Sequence, residues 1–334
     1  MASGSKKAVY SAIIANSIVG VAKFVGFFFS GSGALLSEGI HSLADVSNQI
    51  LLAIGLARSE REPTPEHPYG YGREAFLFAL ISAVGIFWFG CGVTLYHGIS
   101  GLLHPHEVEA PQLAMGILIF SVVVESITLW IAFKVVLDSA KEAGMGFREY
   151  LTKGSDPMGV AVLLEDGAAV FGVLLAMATL GLSMVTHNPI WDAVGSTLIA
   201  ILLGAVAIFL VLRNRTMLLE PSISTEQRSQ VLDVLDQDPV VESVHDVKTT
   251  VIGTNQVRFK AEIDFDGAVI AQKYLKTQDL NALQEQLQSS ETLEPFLVEY
   301  GNHIVDALGD EIDRLEKKIQ QTLPSIKHVD IEAD

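Results

Sequence analysis

The chain has 334 residues, of which 49% are hydrophobic, and it carries a formal net charge of −17. Its mean hydropathy of +0.38 is too high for an ordinary soluble domain, and the apolar residues are concentrated in residues 8–213. The acidic excess comes without a basic stripe, which argues against nucleic acid as a partner. A single cysteine, Cys91, excludes disulfides and thiolate metal clusters as organising features.

Six segments in the first two thirds of the chain are long enough to cross a hydrocarbon core, which takes about 20 helical residues. The third is the most clearly apolar, because no Asp, Glu, Lys or Arg occurs between Ala75 and His106. We therefore predict a six-helix transmembrane domain over residues 1–216, followed by a soluble domain over residues 217–334. The predicted spans lie near residues 8–30, 34–57, 74–100, 111–136, 158–184 and 189–212.

The basic residues indicate the orientation of these spans in the membrane. They occur before the first span, in the second and fourth connections, and after the sixth span, at Lys6, Lys7, Arg58, Arg61, Arg73, Lys141, Arg148, Lys153, Arg213 and Arg215. Positively charged connections stay on the cytoplasmic side, so both termini are predicted to be cytoplasmic. The host membrane would be the inner or plasma membrane of a bacterium, or a mitochondrial or endomembrane of a eukaryote.

The second span carries His41 and Asp45, which are four residues apart and therefore share one helix face. Placing an ionisable group at membrane depth costs at least ~2.5–3.5 kcal/mol, so two on one face require a compensating partner. A metal ion or a transported proton would fill that role, whereas the structural alternative is that they bond only each other and neighbouring helices. Asn48 lies on the same broad face and could offer an oxygen to an ion or join two helices.

Three further charged residues lie well inside the first four spans. Lys23 is predicted to extend to the membrane surface or to pair with a carboxylate. Glu38 is either an acid at the mouth of an ion pathway or an interfacial residue. Glu125 is alone in the fourth span, where we expect a structural hydrogen bond to a neighbouring helix.

The fifth span places two adjacent acids, Glu165 and Asp166, in an apolar helix. Adjacent helical positions diverge by about 100°, so both side chains cannot point equally well at one small site. One of them should face inward and the other should find a different partner. Small residues at Gly167, Ala168 and Gly172 would let another helix approach that face.

The soluble segment predicts an α+β domain. Alternation between apolar and polar residues at 257–265 is typical of a half-buried strand. Residues 268–290 are longer than a plain hairpin connection and resemble an insertion. The predicted helices lie at 225–237, 278–290 and 293–321, and the strands at 240–252, 256–266 and 326–332.

Five marks occur in a fixed order along the chain, and they are His41-Ser-Leu-Ala-Asp45, His67-Pro-Tyr-Gly-Tyr-Gly-Arg73, Asp166, Asp192 and Val244-His-Asp-Val247. Together they resemble the cation diffusion facilitators, a family of divalent-cation exporters. The resemblance covers essentially the whole chain and is closest to the zinc transporter 9 branch. It implies six transmembrane helices followed by a cytoplasmic ferredoxin-like domain.

The resemblance also implies a four-coordinate transport site to which His41, Asp45 and Asp166 contribute. The fourth ligand would lie four residues before Asp166, where this chain has Val162. Glu165, Asn48 or water could complete the shell. A site with one nitrogen and several carboxylates favours Zn²⁺, with Mn²⁺, Fe²⁺ and Co²⁺ behind it.

Other expectations from the family concern coupling, assembly and regulation. They are metal/proton antiport by alternating access, a homodimer, and a charge pair between Arg73 and Glu220 that ties the two domains together. A second metal site in the soluble domain would use His245, Glu262, His328 and Asp330, of which the last two share one strand face.

Two other readings of the same chain remain open. A channel or organic-cation exporter could use six spans, but it would not need closely spaced His and Asp. A partner or scaffold subunit that has lost transport would fit the missing ligand at Val162. An enzyme is not expected, because no soluble segment positions a nucleophile or general base against an open metal site.

Overall fold

The computed structural model describes residues 2–30, 33–105, 110–154, 156–254, 256–287 and 289–334. The chain divides into two compact units, Met1–Leu219 and Glu220–Asp334. Within the described ranges, six helical segments are long and apolar enough to cross a membrane, and a small mixed sheet with helices follows them. The predicted fold class, a six-span membrane domain followed by an α+β domain, is confirmed.

The first unit is entirely helical in its described secondary structure, apart from one isolated bridge between Thr64 and His67. Its long helices extend beyond the predicted spans, by one turn or more at several ends. They are α1 (Ala2–Ser30), α2 (Gly33–Ser59), α3 (Glu74–Gly85), α4 (Thr94–Leu103), α5 (Pro111–Glu142), α6 (Phe147–Lys153), α7 (Pro157–Thr186) and α8 (Ile190–Leu218).

The third span is not the single regular helix that the sequence predicts. An eight-residue π-helix, Ile86–Val93, separates α3 from α4. Gly85, Gly90 and Gly92 weaken the regular helix there, because glycine costs about 1 kcal/mol relative to alanine in a helix interior. Hydropathy does not register such a change of winding, which is why the sequence did not reveal it.

Apolar clusters lie inside the membrane unit, and two of them consist of residues that the structure describes. The first includes Leu52, Met158 and Leu210, and the second includes Leu118 and Leu203. Large apolar side chains also cover the outer face of the unit. Their exposure is expected of a surface that faces lipid hydrocarbon, and examples are Phe28, Trp88, Trp130 and Val185.

The second unit is an α+β domain with the strand order β1-β2-β3. β1 pairs antiparallel with β2, and β2 pairs parallel with β3, so the connection through α12 crosses over the sheet. Its elements are α9 (Thr225–Asp236), β1 (Val241–Gly253), β2 (Gln256–Phe265), α10 (Gly267–Leu275), α11 (Leu280–Gln286), α12 (Ser290–Thr322) and β3 (Ile326–Ala333).

The odd-numbered residues of β2 form the buried face of this sheet. Phe259 and Ile263 are fully buried, as are Leu315 and Ile319 of α12. The six predicted elements are present, but the predicted helix 278–290 is shorter and α10 was missed. These two short helices occupy the segment that looks inserted.

Candidate metal centre

His41 and Asp45 lie together on α2, inside the helical bundle. His41 Nε2 is 3.4 Å from Asp45 Oδ2, and the two side chains are 3% and 5% exposed. Neither ring nitrogen of His41 has a hydrogen-bond partner within the described ranges. Buried polar groups are normally hydrogen-bonded, so a histidine in this state requires an explanation.

Glu165 and Asp166 of α7 are also buried, and they face different neighbours. Glu165 lies beside Ser82 of α3, whereas Asp166 lies beside Thr128 of α5. Both oxygens of Glu165 and Oδ2 of Asp166 are without a hydrogen-bond partner among the residues that the structure describes. The predicted divergence of the two acids is therefore what the structure has.

Both acids of α7 lie near Asp45 of α2. The Glu165 and Asp166 carboxylates are each near enough to repel that of Asp45. Both therefore stay candidates for an oxygen ligand from α7. The adjacent-acid pattern predicts that one of the two faces inward, and the choice between them stays a prediction.

The remaining candidates for the fourth ligand are not placed equally. Val162 is fully buried in the first apolar cluster, so its position contributes packing and no ligand atom. Asn48 is buried, and its Oδ1 faces Gly85 of α3, where an added Cβ would lie 2.9 Å away. Any side chain at position 85 would therefore displace the Asn48 oxygen from its present place.

The acids and the histidine are not gathered into a closed shell in this conformation. Within the described residues, no three His, Cys, Asp or Glu side chains are arranged closely enough to hold a metal ion. The two residues already in contact are His41 and Asp45. Closing a four-ligand site would require α7 to bring a carboxylate to that pair.

A second buried group of charges lies beside this site. Lys23 of α1 donates hydrogen bonds to Glu38 Oε2 at 2.7 Å, to Glu125 Oε1 at 2.9 Å and to Ser42 Oγ at 3.1 Å. The expected pairing of Lys23 with a carboxylate and the expected interhelical bond of Glu125 are confirmed. The sequence did not suggest the place of Glu38, which is fully buried in this group.

In the soluble unit, the predicted second-site residues share one face of the sheet. His245 lies directly opposite Glu262 in the β1–β2 ladder, and its Nε2 is 3.0 Å from Asp264 Oδ2. Ser243 donates to the same Asp264 oxygen at 2.5 Å. These bonds hold the pKa of Asp264 below its ordinary value. Asp264 was missed, although the period-two pattern of β2 places it on the same face as Glu262.

The other two predicted residues of that face have basic neighbours on β2. Asp330 accepts a hydrogen bond from Arg258 Nε at 2.7 Å, and His328 lies opposite Arg258 in the ladder. Lys260 is paired with Glu332 in the same way. Cations of the central strand β2 thus bind the acids of β3, whereas His245 of β1 contacts Asp264.

The predicted charge pair between the domains joins residues of different units. Arg73 precedes α3, and Glu220 is the first residue of the soluble unit, where its φ of 59° is positive. The pairing of these two residues stays a prediction.

Fold and site together define a multi-pass membrane protein with ionisable side chains inside its bundle. The chain belongs to the cation efflux family, since the profile of the cation efflux transmembrane domain matches residues 9–219. This finding confirms the family resemblance of the sequence.

Several curated proteins are similar over most of the chain. The human proton-coupled zinc antiporter SLC30A9, mitochondrial, is 42% identical over 332 residues, which cover 98% of this chain and 58% of that protein. Metal tolerance protein C4 of Arabidopsis thaliana is also 42% identical, with 98% and 73% covered. The manganese efflux system protein MneP of Bacillus subtilis is 25% identical over 247 residues, with 73% and 78% covered. The chain thus spans 58% of the length of the human relative.

Proposed function

We propose that this chain exports a divalent metal ion across a membrane in exchange for protons, and that the ion is zinc. The observation that carries the proposal is the 3.4 Å separation of His41 Nε2 and Asp45 Oδ2 inside the bundle. Two ligand atoms about 2.1 Å from a tetrahedral zinc ion lie roughly 3.4 Å apart. The pair therefore has the spacing of two zinc ligands.

The remaining ligands come from α7 in this proposal. Asp166 is the ligand expected from the family pattern, and Glu165, whose carboxylate lies near enough to repel that of Asp45, is the candidate for the further oxygen. Their oxygens are buried and, among the described residues, largely without hydrogen-bond partners, which is costly unless a cation approaches. If only three of these side chains reach the ion, water or Asn48 would complete the four-ligand shell.

Proton exchange follows from the same side chains. A metal ion binds neutral imidazole and ionised carboxylates, so protons compete with it for the site. Protons arriving on the far side would displace the ion, and deprotonation on the cytoplasmic side would prepare the site again. The name of the human relative, a proton-coupled zinc antiporter, supports this choice of counter-ion.

The alternative cargo is manganese, iron or cobalt. The relative from Bacillus subtilis is named a manganese efflux system protein, so the family contains other selectivities. An imidazole ligand favours zinc over manganese, which prefers an all-oxygen shell. A partner subunit without transport is the second alternative, favoured only by Val162 at the position of the expected ligand.

Assembly and placement belong to the same proposal. Leu293, Leu297 and Val305 expose apolar side chains on the first half of α12, which supports a homodimer through the soluble domain. Both termini would be cytoplasmic or face the equivalent compartment. His245, Glu262, His328 and Asp330 stay the candidate ligands of a regulatory ion in the soluble domain. In the structure Asp264 lies beside His245, whereas Asp330 is bound to Arg258, so such an ion would have to take Asp330 from that cation.

The test is transport in proteoliposomes that contain a pH-sensitive dye. A panel of divalent ions is added outside, and zinc should drive the largest proton flux, which His41→Ala and Asp45→Ala should each abolish. Asp138→Ala and His303→Ala are matched controls, because both residues are exposed and lie in other parts of the chain. Normal flux in either site variant would refute the proposed site.

A further inference from the structure

The group formed by Lys23, Glu38 and Glu125 combines three charges from three helices, α1, α2 and α5. The side chains of Lys23 and Glu38 are 0% exposed, and that of Glu125 is 2% exposed. The ammonium group has three N–H donors, and its three bonds to Glu38, Glu125 and Ser42 use all of them. We call these three charged residues the lysine triad.

The lysine triad is unbalanced when every member is ionised. One cation and two carboxylates leave a net charge of −1, at a place where a buried charge must be paired. One proton on either carboxyl makes the triad neutral without removing any bond to Lys23. Burial therefore favours a triad that holds one proton.

The triad also has vacant atoms on which such a proton can reside. Lys23 contacts only one oxygen of each carboxyl group, and within the described ranges Glu38 Oε1 and Glu125 Oε2 have no hydrogen-bond partner. Glu38 Oε1 faces α7 at Gly172, where an added Cβ would lie 3.5 Å away. The open oxygen is thus directed at the helix that carries the two adjacent acids.

The triad interacts electrostatically with the candidate metal centre. Glu38 and Lys23 act on His41, Lys23 and Glu125 act on Asp45, and Glu125 acts on Asp166. The titratable groups on which the triad acts are thus His41, Asp45 and Asp166. A doubly charged ion among them would stabilise the ionised form of both triad carboxyls.

We propose that the lysine triad is a proton site that holds one exchangeable proton and releases it when a divalent ion binds at His41, Asp45 and Asp166. This inference rests on the proposed function, because it needs an ion at that centre. The O–H bond of one triad carboxyl breaks, and its proton goes to water. The carboxylate that remains offsets one of the two positive charges that the ion brings.

Calorimetry on the purified full-length chain in detergent tests this proposal. Zinc is titrated into the protein in buffers of different ionisation enthalpy, which gives the number of protons released per bound ion. Glu38→Gln and Glu125→Gln each leave one cation and one carboxylate, a neutral pair without an exchangeable proton. Each variant should still bind zinc but release about one proton fewer than the unmodified protein.

A triple variant separates one shared proton from two independent ones. Lys23→Met combined with Glu38→Gln and Glu125→Gln replaces the triad by uncharged groups of similar shape, which buried ionic clusters often tolerate. It should lose the same single proton as either Gln variant. Loss of two protons would mean that the two carboxyls titrate separately, and it would overturn the proposal.

The matched control is Glu149→Gln, which neutralises an exposed glutamate and should leave proton release unchanged. Unchanged release in both Glu38→Gln and Glu125→Gln, with zinc still bound, overturns the triad proposal and leaves the proposed function intact. Failure of the unmodified protein to bind zinc overturns the proposed function itself, and this inference with it.

Infrared difference spectroscopy tests the proposal on the unmodified protein, so its result does not depend on whether a variant folds. With ¹³C-labelled glutamate, zinc should remove a C=O band of a protonated carboxyl that carries the isotope shift. A zinc difference spectrum without any labelled protonated-carboxyl band overturns the proposal.

Discussion

Two pairs of the same residue types lie in the two units of this protein, and their surroundings differ completely. His41 and Asp45 are 3.4 Å apart and almost fully buried, whereas His245 and Asp264 are 3.0 Å apart and are 51% and 38% exposed. The exposed pair is surrounded by water, in which an ion pair contributes only ~0–1 kcal/mol. The buried pair has no such solvation, so it requires a cation or a proton. The same two residue types are thus solvated in one unit and in need of a compensating ion in the other.

Two charge clusters repeat this contrast. Lys23 joins Glu38 and Glu125 without exposure to solvent, while Arg314 and Lys318 bind the buried Asp238 from the half-exposed surface of α12. In the soluble cluster Arg314 also binds the carboxylate of Glu311, and the side chains of both cations are about 40% exposed to solvent. The membrane cluster has two carboxylates for one cation and no such exposure.

The largest expected effect concerns the buried pair. Asp45→Asn combined with Asp166→Asn should abolish zinc-dependent stabilisation of the purified protein against thermal unfolding. At a zinc concentration of 100 times Kd, binding stabilises by about 2.7 kcal/mol, all of which should disappear. The measurement is a thermal shift with and without zinc. The double variant Asp264→Asn and Asp330→Asn is the soluble-domain control. An equal loss of zinc-dependent stabilisation in that variant would mean that the main zinc site lies in the soluble unit.

The next largest effect concerns the lysine triad. Lys23→Met should lower stability in detergent by about 3–5 kcal/mol, because it leaves two buried carboxyls without their shared cation. Adding Glu38→Gln and Glu125→Gln should restore most of that loss. Thermal unfolding of the single and triple variants measures both effects. A single variant as stable as the parent would mean that the triad is solvated.

A smaller effect is expected at the corresponding cluster of the soluble unit. Asp238→Asn removes the carboxylate that accepts from Arg314 at 2.7 Å and 2.9 Å and from Lys318 at 2.8 Å. The cost should be about 1–3 kcal/mol, and it should be confined to the soluble unit. Hydrogen exchange of the full chain should show faster exchange in α9 and α12 and unchanged exchange in the membrane helices. Faster exchange throughout the chain would contradict the division into separate units.

The same cluster predicts a direction for the acid response of the soluble unit. The pKa of Asp238 lies well below its ordinary value, chiefly because its carboxylate accepts hydrogen bonds from Arg314 and also because it accepts one from Lys318. A carboxyl with a lowered pKa stabilises the fold above its unfolded pKa of about 3.9, and this contribution is lost as pH falls towards the folded value. The protection of α9 amides, relative to their intrinsic exchange rates at each pH, should therefore decrease below about pH 4 in the parent. In Asp238→Asn this step should be absent, and an identical acid response in both proteins would contradict the assignment.

The smallest effect is expected at the exposed pair. His245→Ala should leave thermal stability and zinc-driven flux without a measurable change. The side chain is half exposed, and substitutions at such surface positions usually cost little stability. A strong loss of flux would instead indicate that the sheet face binds an ion that transport requires. Ser243→Ala, which removes the other partner of Asp264, is the matched comparison.

The soluble unit shows which features the alternation of residues along a strand predicts and which it does not. Alternation at 257–265 predicted β2, and the structure has it over Gln256–Phe265 with its odd positions buried. The same alternation could have identified Asp264 beside His245. It could not show that Arg258 binds Asp330, because that pairing depends on the register of β3 along β2. Register is set by packing across the sheet and is not written in either strand alone.

The sequence by itself determined the six spans, their polar residues and the α+β domain, because hydropathy and periodicity are local properties of the chain. The four-residue spacing of His41 and Asp45 was enough to place them on one face. Only the tertiary structure decided which helices meet around them. It joined Lys23 to acids 15 and 102 residues away, turned Glu165 and Asp166 to different neighbours, and wound part of the third span as a π-helix. These outcomes depend on contacts between distant segments, where the cost of an unpaired buried charge selects the partner.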